Sequence, residues 1–410
     1  MRALRIAITC LLLTACGQTA IPHQEGEKAG LRVTEWMLPE TLFSAQPDLV
    51  ESSDARLLLS WIENKSDDHA LKLSEFDGKA WGTPRTVARG GDWIVNWADT
   101  PHVVASGDMW WAHWLRESAA GGYDVVLSRS GDRGANWSAP VSVNTDGKAG
   151  EHGFVSMWPE ATGALGIAWL DGRNAGREGH GGHEGHGGAM TLRTAVFDAS
   201  LQRSDERELD AMTCDCCQTD AALTARGPLL VWRDRDENEI RDIVVSRRDG
   251  TSWTSSHKVH DDGWKMPACP VNGPAIAARR EHAWVAWYTA ADDVPRVRMA
   301  FSKDAGDTFA APVEVDAGPA VQGRVAVAAG DDAVWLAWIR EDAQGQSLQL
   351  ARYAPDLSGE IARSTVARMQ GRGRPTGFPQ MVAEGSDVRL VWVDIVEGAP
   401  RLFGAEVRAK

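Results

Sequence analysis

A short run of cysteines is the densest group of reactive side chains in this chain of 410 residues. Cys214, Cys216 and Cys217 stand close together, and Cys269 follows further along the sequence. In an exported chain an even number of cysteines first suggests disulfides, so we expect Cys269 to pair with one of the other three. A Cys-x-Cys-Cys pattern also suits Cu(I) or Zn, because both metals accept thiolate ligands. The sequence therefore leaves a disulfide and a metal site open.

A glycine-rich segment supplies a second set of metal-ligating side chains. Residues 176–188 (GREGHGGHEGHGG) place His180, His183 and His186 three residues apart. A flexible backbone allows three imidazoles to meet one Cu(II), Ni or Zn ion. The alternative is a low-complexity linker without a specific role.

A repeat of apolar segments that contain tryptophan organises the rest of the chain. The aligned tryptophans are separated by 53, 55, 63, 55, 51 and 54 residues. They are Trp61, Trp114, Trp169, Trp232, Trp287, Trp338 and Trp392. A period near 50 residues indicates a propeller or a solenoid.

Each repeat contains several short runs that are typical of β-strands. The runs are rich in Val, Leu, Ile and Trp and are bounded by Gly, Asp and Asn. We predict an all-β fold with a single β-propeller of four-stranded antiparallel blades. Seven blades are favoured and six are the alternative. The last unit has room for three strands only, so the segment 31–38 is expected to close the ring.

Two turns carry a resemblance to a known family. Residues 130–137 (SGDRGANW) match the pattern S-x-D-x-G-x-x-W, and residues 302–309 (SKDAGDTF) match it with Phe in place of Trp. Ser and Asp side chains can hydrogen-bond their own turn, and Gly supplies a positive φ. The pattern resembles the Asp-box, or BNR repeat, of sialidase-like propellers. The resemblance implies a fold and leaves the function open.

The strand order then places many unusual side chains on one face. Loops that enter first strands share a face with loops that join second and third strands, opposite the Asp-box turns. This face is expected to carry the cysteines, the histidine segment and the charged loop 233–242. Loops at one end of a rigid scaffold often bind ligands. The candidate ligand-binding residues are Arg173, Arg233, Arg235, Arg241, Asn272 and Arg324.

The resemblance to sialidases implies possible catalytic roles. Sialidases hold a substrate carboxylate with three arginines, use a Tyr–Glu pair as nucleophile and use an Asp as acid/base. Guanidinium groups suit a carboxylate because they bind it in a bidentate way. The counterparts proposed here are Arg173, Arg235, Arg241 and Arg324 for the arginines, Glu239 with Tyr288 or Tyr123 for the pair, and Asp220 or Asp48 for the acid.

The chain also departs from the sialidase pattern. Residues 44–48 read SAQPD, where that family has Phe-Arg-Ile-Pro. Sialidases have six blades, fewer than the number favoured here. The loop 233–242 also fits a solvated charged loop that is held by ion pairs.

The N-terminus predicts export and a lipid anchor. Residues 1–15 combine Arg2 and Arg5 with a short apolar run, as in a signal peptide. The run ends in Leu-Thr-Ala-Cys16, which resembles the lipobox of bacterial lipoproteins and implies lipid on Cys16. Residues 16–30 then form the lipidated end and a flexible tether, and 31–410 form the propeller. The resemblance favours the outer membrane, with its periplasmic or surface side open.

Charge and composition limit the partners. The net charge of −14 makes a nucleic-acid partner unlikely, and we expect a monomer. We predict that the propeller binds a small molecule, such as a glycan or a carboxylate, without turning it over. The alternatives are an exo-sialidase-type hydrolase and an envelope protein that handles copper or zinc. No cofactor is certain, and Cu or Zn is the candidate.

Overall fold

Antiparallel β-strands make up almost the whole described chain. The structure is a computed structural model that describes residues 30–409 except 40, 42, 66–67, 161–162 and 176–188. Two single-turn 3₁₀ helices, Ala291–Asp293 and Arg374–Thr376, interrupt the strands of these ranges. Across the same ranges, the helices are too short to cross a membrane. The predicted all-β class is confirmed.

The strands follow one another in short, regular succession. The first part of the chain contains β1 (Leu31–Glu35), β2 (Ser44–Glu51), β3 (Leu57–Lys65), β4 (Asp68–Phe76) and β5 (Arg85–Gly90). Next come β6 (Val103–Ser106), β7 (Met109–Glu117), β8 (Gly122–Ser130), β9 (Val141–Ser142), β10 (Gly150–Pro159), β11 (Leu165–Asp171), β12 (Thr191–Phe197) and β13 (Arg203–Asp210).

The second half of the chain continues the same pattern. It contains β14 (Asp220–Thr224), β15 (Gly227–Arg233), β16 (Ile243–Asp249), β17 (Ser252–Trp253), β18 (His257–Lys258), β19 (Ala275–Arg279), β20 (His282–Thr289), β21 (Arg296–Ser302) and β22 (Val313–Ala317). The last strands are β23 (Val321–Ala329), β24 (Val334–Asp342), β25 (Gly345–Tyr353), β26 (Glu360–Arg368), β27 (Gln380–Glu384), β28 (Asp387–Val396) and β29 (Ala399–Ala409).

The number of blades differs from the prediction. Five separate antiparallel sheets of the described chain each contain a path of four strands: β2-β3-β4-β5, β14-β15-β16-β17, β19-β20-β21-β22, β23-β24-β25-β26 and β1-β29-β28-β27. In the last of these, β1 pairs with β29, so the first and last strands of the described residues share one sheet. Strands β6 to β13 instead belong to one eight-stranded sheet. The prediction of seven four-stranded blades, and the six-bladed alternative, are therefore wrong.

A close approach of two glycines explains the eight-stranded sheet. Strands β8 and β10 pair in parallel, with Gly122 opposite Gly150 and Tyr123 opposite Glu151. A Cβ atom on Gly122 would lie 1.9 Å from the carbonyl oxygen of Gly150. Because neither residue has a side chain, the two backbones can meet and join strands that the repeat period assigns to different blades.

The aligned tryptophans form the core between sheets, as expected. Each of them is at most 4 % exposed. In four units the indole Nε1–H donates to a carboxylate, which satisfies the polar atom of a buried ring. The donor–acceptor pairs are Trp169–Asp171 at 2.7 Å, Trp232–Asp210 at 2.7 Å, Trp287–Asp262 at 2.6 Å and Trp338–Asp316 at 2.7 Å.

A chain of hydrogen bonds joins successive repeats near their first strands. In each bond a side-chain oxygen of one repeat accepts a backbone N–H of the next repeat. The pairs are Asp48–Val103 at 2.9 Å, Asp99–Phe154 at 2.8 Å, Asp220–Ile276 at 2.9 Å and Asn272–Arg324 at 2.8 Å. Asp48, Asp99 and Asn272 are buried and Asp220 is half-buried. Each bond therefore replaces a hydrogen bond to water that burial removes. We call these bonds the inter-repeat bonds.

Some first strands also share a backbone irregularity. Strands β2, β10 and β23 each contain a β-bulge, and Gln46, Phe154 and Arg324 have positive φ values of 52°, 50° and 52° at these bulges. Two of these three residues donate the N–H of an inter-repeat bond. The bond therefore holds a backbone conformation that is unfavourable for a residue with a side chain.

The two Asp-box turns have the hydrogen bonds that their sequences predict. The Ser130 hydroxyl donates to Asp132 at 2.7 Å and accepts the Gly134 N–H at 2.8 Å. Ser302 makes the equivalent bonds to Asp304 and Gly306, both at 2.8 Å. Gly134 and Gly306 have φ values of 75° and 87°. These turns stabilise the fold and leave the opposite face free for function.

Gly122→Ala tests the junction of β8 and β10. Ala would pay the cost of a positive φ, about 1 kcal/mol, and would also clash with Gly150. Gly107→Ala is the matched control, because Gly107 also has a positive φ but has open space around its Cβ position. We expect a clearly larger loss of unfolding free energy for Gly122→Ala, measured by urea denaturation. Equal losses would contradict the proposed role of the close approach.

Asp99→Asn tests an inter-repeat bond through its pH dependence. Burial raises the pKa of Asp99 to about 7, although its bond from Phe154 lowers it. A raised carboxyl pKa stabilises the fold at low pH, and this contribution disappears as the pH rises through about 7. The unfolding free energy of the wild type should therefore fall between about pH 4, near the pKa of an unfolded Asp, and about pH 7, and Asp99→Asn should reduce this fall. Asp108→Asn, at an exposed carboxylate, should leave the fall unchanged.

Candidate functional site

The three clustered cysteines lie on the loop between β13 and β14. Backbone bonds fix this loop, because Thr213 N–H donates to Met190 at 2.9 Å and Cys214 N–H donates to Arg233 at 3.1 Å. The Sγ atoms of Cys214, Cys216 and Cys217 lie within 4.8 Å of one another, and all three residues are buried. The Sγ atoms of Cys214 and Cys217 are 3.1 Å apart. The loop therefore gathers three sulfur atoms into one small volume.

Cys269 completes the cluster from a different loop. It precedes β19 and is exposed, and its thiol lies near that of Cys216. All four cysteines of the described chain are free thiols. The predicted disulfide to Cys269 is therefore wrong for this structure, although the expected proximity of Cys269 to the other three is correct. We call these four residues the cysteine cluster.

A buried arginine supplies positive charge to the cysteine cluster. Arg241 is 2 % exposed, and its Nη1 donates to the Sγ of Cys214 at 3.2 Å. Burial alone would raise the pKa of Cys214, but hydrogen bonds from Cys216 and Cys217 and the charges of Arg241 and Arg233 lower it well below the ordinary value. The same bonds raise the pKa of Cys216, since they favour its thiol form. The structure thus supports one thiolate, on Cys214, among neighbouring thiols.

The charged loop 233–242 holds Arg241 in place through ion pairs. Glu239 accepts Nη2 of Arg241 at 2.9 Å and Nη2 of Arg235 at 2.6 Å. Arg235 also lies 3.3 Å from Asp215, which is part of the cysteine loop. Asp234 is buried beside Asp210, and its pKa is raised to about 7 by burial and then by that carboxylate. The loop is therefore an ordered network around the cysteines.

The predicted arginines do not together form a binding site for a substrate carboxylate. Arg233 donates to the backbone carbonyls of Arg241, Asn272 and Tyr288. Arg324 donates to the carbonyls of Gly373 and Gly377 and to the Thr376 hydroxyl. Arg173 forms a bidentate pair with Asp171, apart from the cysteines. These guanidinium groups are occupied by protein partners, so the structure brings only Arg233, Arg235 and Arg241 to one place.

The other catalytic candidates also have structural contacts. Asp220 and Asp48 accept inter-repeat bonds, and burial raises the pKa of Asp220 to about 6. The Tyr288 ring packs against Trp264, and burial raises its pKa. The Tyr123 hydroxyl lies 3.4 Å from Glu151 Oε2, but burial together with Asp99 and Glu151 raises its pKa. A raised phenol pKa opposes the role of nucleophile.

Several predicted residues lie outside the described ranges. They are Cys16, His180, His183 and His186.

Sequence reasoning missed one further group of side chains. Asp146, His152 and Asp171 each offer a ligand atom within 4.8 Å of the others. Near these three residues, the sequence predicted a role only for Arg173, which follows Asp171 by two positions. Asp146 lies before β10 and His152 lies in it. No regular spacing in the sequence links these two residues to Asp171.

Two surface cavities lie away from the cysteine cluster. One of about 570 Å³ is lined by Arg207, Glu208 and Trp253 among others, and one of about 520 Å³ is lined by Arg56, Trp81 and Arg133 among others. Neither is lined by a cysteine or by a candidate arginine.

Comparisons with known proteins show similarity in fold. No family model matches the chain, and no curated protein matches it. A protein of unknown function from Dyadobacter fermentans has 13 % identity and a TM-score of 0.51, with coverage of 93 % of this chain and 100 % of that chain. The polysaccharide lyase Uly1 has 8 % identity and a TM-score of 0.52, with coverage of 96 % and 94 %.

A sialidase is also among the similar structures. The NanB sialidase from Streptococcus pneumoniae, as a K499G mutant, has 8 % identity and a TM-score of 0.45, with coverage of 86 % of this chain and 83 % of that chain. At these low identities the two matches with TM-scores above 0.5 show similarity in fold alone.

Arg241→Gln tests the electrostatics of the cysteine cluster. Removing the guanidinium charge beside Cys214 should raise the pKa of that thiol, so thiolate ultraviolet absorbance should appear at higher pH. Arg235→Gln is the matched control, because Arg235 contacts Glu239 and Asp215. A shift of about 1 pH unit or more is expected for Arg241→Gln and a smaller one for the control. Identical titrations would show that Arg241 does not set the charge of Cys214.

Proposed function

We propose that this protein is an exported, lipid-anchored propeller that binds a soft metal ion, Cu(I) or Zn(II), at the cysteine cluster. The observation that carries the proposal is the convergence of three buried sulfur atoms within 4.8 Å. Protein interiors rarely gather free thiols in this way without a chemical use, and thiolates prefer soft and borderline metals. Cu(I) would use two or three of these sulfur atoms, and Zn(II) would use all three.

The charge around the cysteines supports an anionic metal–thiolate group. Arg235 and Arg241 pair with Asp215 and Glu239, and Arg233, which donates to backbone carbonyls, adds one positive charge near Cys214. Cu(I) with two thiolates, or Zn(II) with three, carries one negative charge. The network and such a group would therefore neutralise each other, which limits the cost of burying both.

The exposed position of Cys269 supports exchange of the metal with the outside. The three other cysteines are at most 4 % exposed, so a metal that they bind is shielded from water. Cys269 reaches the same cluster from the surface through its contact with Cys216. A ligand at the surface provides a path for entry and release without unfolding of the loop.

The glycan and sialidase alternatives have less support. The candidate arginines are bound to carbonyl groups and carboxylates of the protein, so binding a substrate carboxylate would first break these contacts. The fold is similar to that of the polysaccharide lyase Uly1. That similarity concerns the scaffold and does not extend to the site.

Metal titration of cysteine variants tests the proposed function. The chain without residues 1–16 would be titrated anaerobically with Cu(I) against a chromophoric chelator, and separately with Zn(II). His180, His183 and His186 would be changed to Ala in every sample, so that this segment cannot contribute. Cys214→Ser, Cys216→Ser and Cys217→Ser should each weaken binding by about tenfold or more. Cys269→Ser should weaken it less, because the three buried sulfur atoms remain.

Met212→Leu is the control for the cysteine variants. It removes a sulfur atom from the same loop and leaves all four cysteines in place, and its affinity should match that of the parent. Circular dichroism and thiol counting would confirm that each variant is folded and reduced. Unchanged affinity in all three buried-cysteine variants would refute the proposal.

A further inference from the structure

Three side chains outside the cysteine cluster meet within the eight-stranded sheet. Asp146 precedes β10, His152 lies in β10, and Asp171 ends β11. Their side chains are 5 %, 0 % and 0 % exposed. One atom of each, Asp146 Oδ2, His152 Nε2 and Asp171 Oδ1, points toward the others within 4.8 Å.

The orientation of His152 is fixed by its other ring nitrogen. Nδ1 lies 2.9 Å from the backbone carbonyl of Tyr123, so Nδ1 carries a proton and donates it. Nε2 faces the two carboxylates and has no hydrogen-bond partner, and Asp146 Oδ2 has none either. A histidine that donates one N–H to a carbonyl and aims its other nitrogen at carboxylates has the orientation that metal-binding histidines adopt.

The distances fit an ion better than direct hydrogen bonds. His152 Nε2 lies 3.4 Å from Asp146 Oδ2 and 3.5 Å from Asp171 Oδ1, both long for a charge-assisted hydrogen bond. Two ligand atoms at about 2.1 Å from one tetrahedral ion are themselves about 3.4 Å apart. The observed separations therefore match two edges of a tetrahedral coordination shell.

We propose that Asp146, His152 and Asp171 form a second metal site, for a divalent ion such as Zn²⁺ that accepts nitrogen and oxygen ligands. The carboxylate of Asp171 is held by Trp169 Nε1 and by Arg173. Arg173 Nη2 also lies 3.7 Å from Asp146 Oδ2, so its charge competes with the ion and keeps the affinity moderate. The donor set differs in kind from the four thiols, so the two sites select different metals.

The second site is built from residues outside the cysteine cluster. The carbonyl oxygen of Tyr123 orients His152. The second site therefore does not depend on the proposed function of the cysteine cluster.

Cobalt binding distinguishes the two sites in one sample. The chain without residues 1–16, with His180, His183 and His186 changed to Ala, would be loaded with Co²⁺ under reducing conditions. Thiolate ligands give a charge-transfer band, whereas nitrogen and oxygen ligands give only d–d bands. Asp146→Asn and His152→Gln should each remove one bound ion per chain and the d–d bands of the second site. The charge-transfer band of the cysteine cluster should remain.

Asp124→Asn is the matched control for this experiment. Asp124 lies 3.7 Å from Nδ1 of the same histidine, on the side away from the proposed ion, so this variant should bind as many ions as the parent. Asp146→Asn is the safer test of folding, because the Oδ2 atom that it replaces has no hydrogen-bond partner and the bond from Lys148 can persist.

The outcomes separate the two proposals. Equal Co²⁺ stoichiometry in the parent, Asp146→Asn and His152→Gln would overturn the second site. Loss of the d–d bands in both variants would support it, whether or not the thiolate band is present. A missing thiolate band in the parent would instead count against the cysteine cluster alone.

Discussion

The inter-repeat hydrogen bonds are the constraint on which the rest of the structure depends. In each bond the backbone N–H of one repeat donates to a side-chain oxygen of the preceding repeat, so the bond helps to set the spacing between neighbouring sheets that pack through apolar side chains. Apolar contacts are non-directional and would tolerate sliding, whereas a buried hydrogen bond does not. The loops that bear the cysteines and Asn272 end next to these bonds, which fix the positions of their last residues.

Much of the scaffold follows from the sequence because its signals recur. The tryptophan at a fixed place in each repeat predicts the core, and the Ser, Asp and Gly of the two Asp-box turns predict their hydrogen bonds. The number of blades could not be predicted from the sequence, because no sequence pattern around Gly122 and Gly150 indicates that two repeats pair in parallel there. Asp48, Asp99, Asp220 and Asn272 recur with the repeat period, and that recurrence is a signal that sequence reasoning could have used.

The candidate site was predicted in part. The sequence predicts which loops share a face, but it does not predict which partners the long side chains on that face contact. Alternation of strand direction brings Cys214 and Cys269 to one face, and the loop 233–242 with them. Whether an arginine on that face is free or bound depends on which carbonyl or carboxylate its long side chain reaches. Arg233, Arg324 and Arg173 each find a different partner in the protein, and only the folded backbone determines these choices.

The β-bulges of the first strands show that these repeats share a backbone conformation rather than a type of side chain. Gln46, Phe154 and Arg324 occupy the same kind of bulge with nearly the same φ, yet their side chains are an amide, an aromatic ring and a guanidinium group. The backbone at this position is therefore specified by its neighbours rather than by its own side chain. A repeat protein can therefore change the type of side chain at such a position while the surrounding backbone keeps its shape.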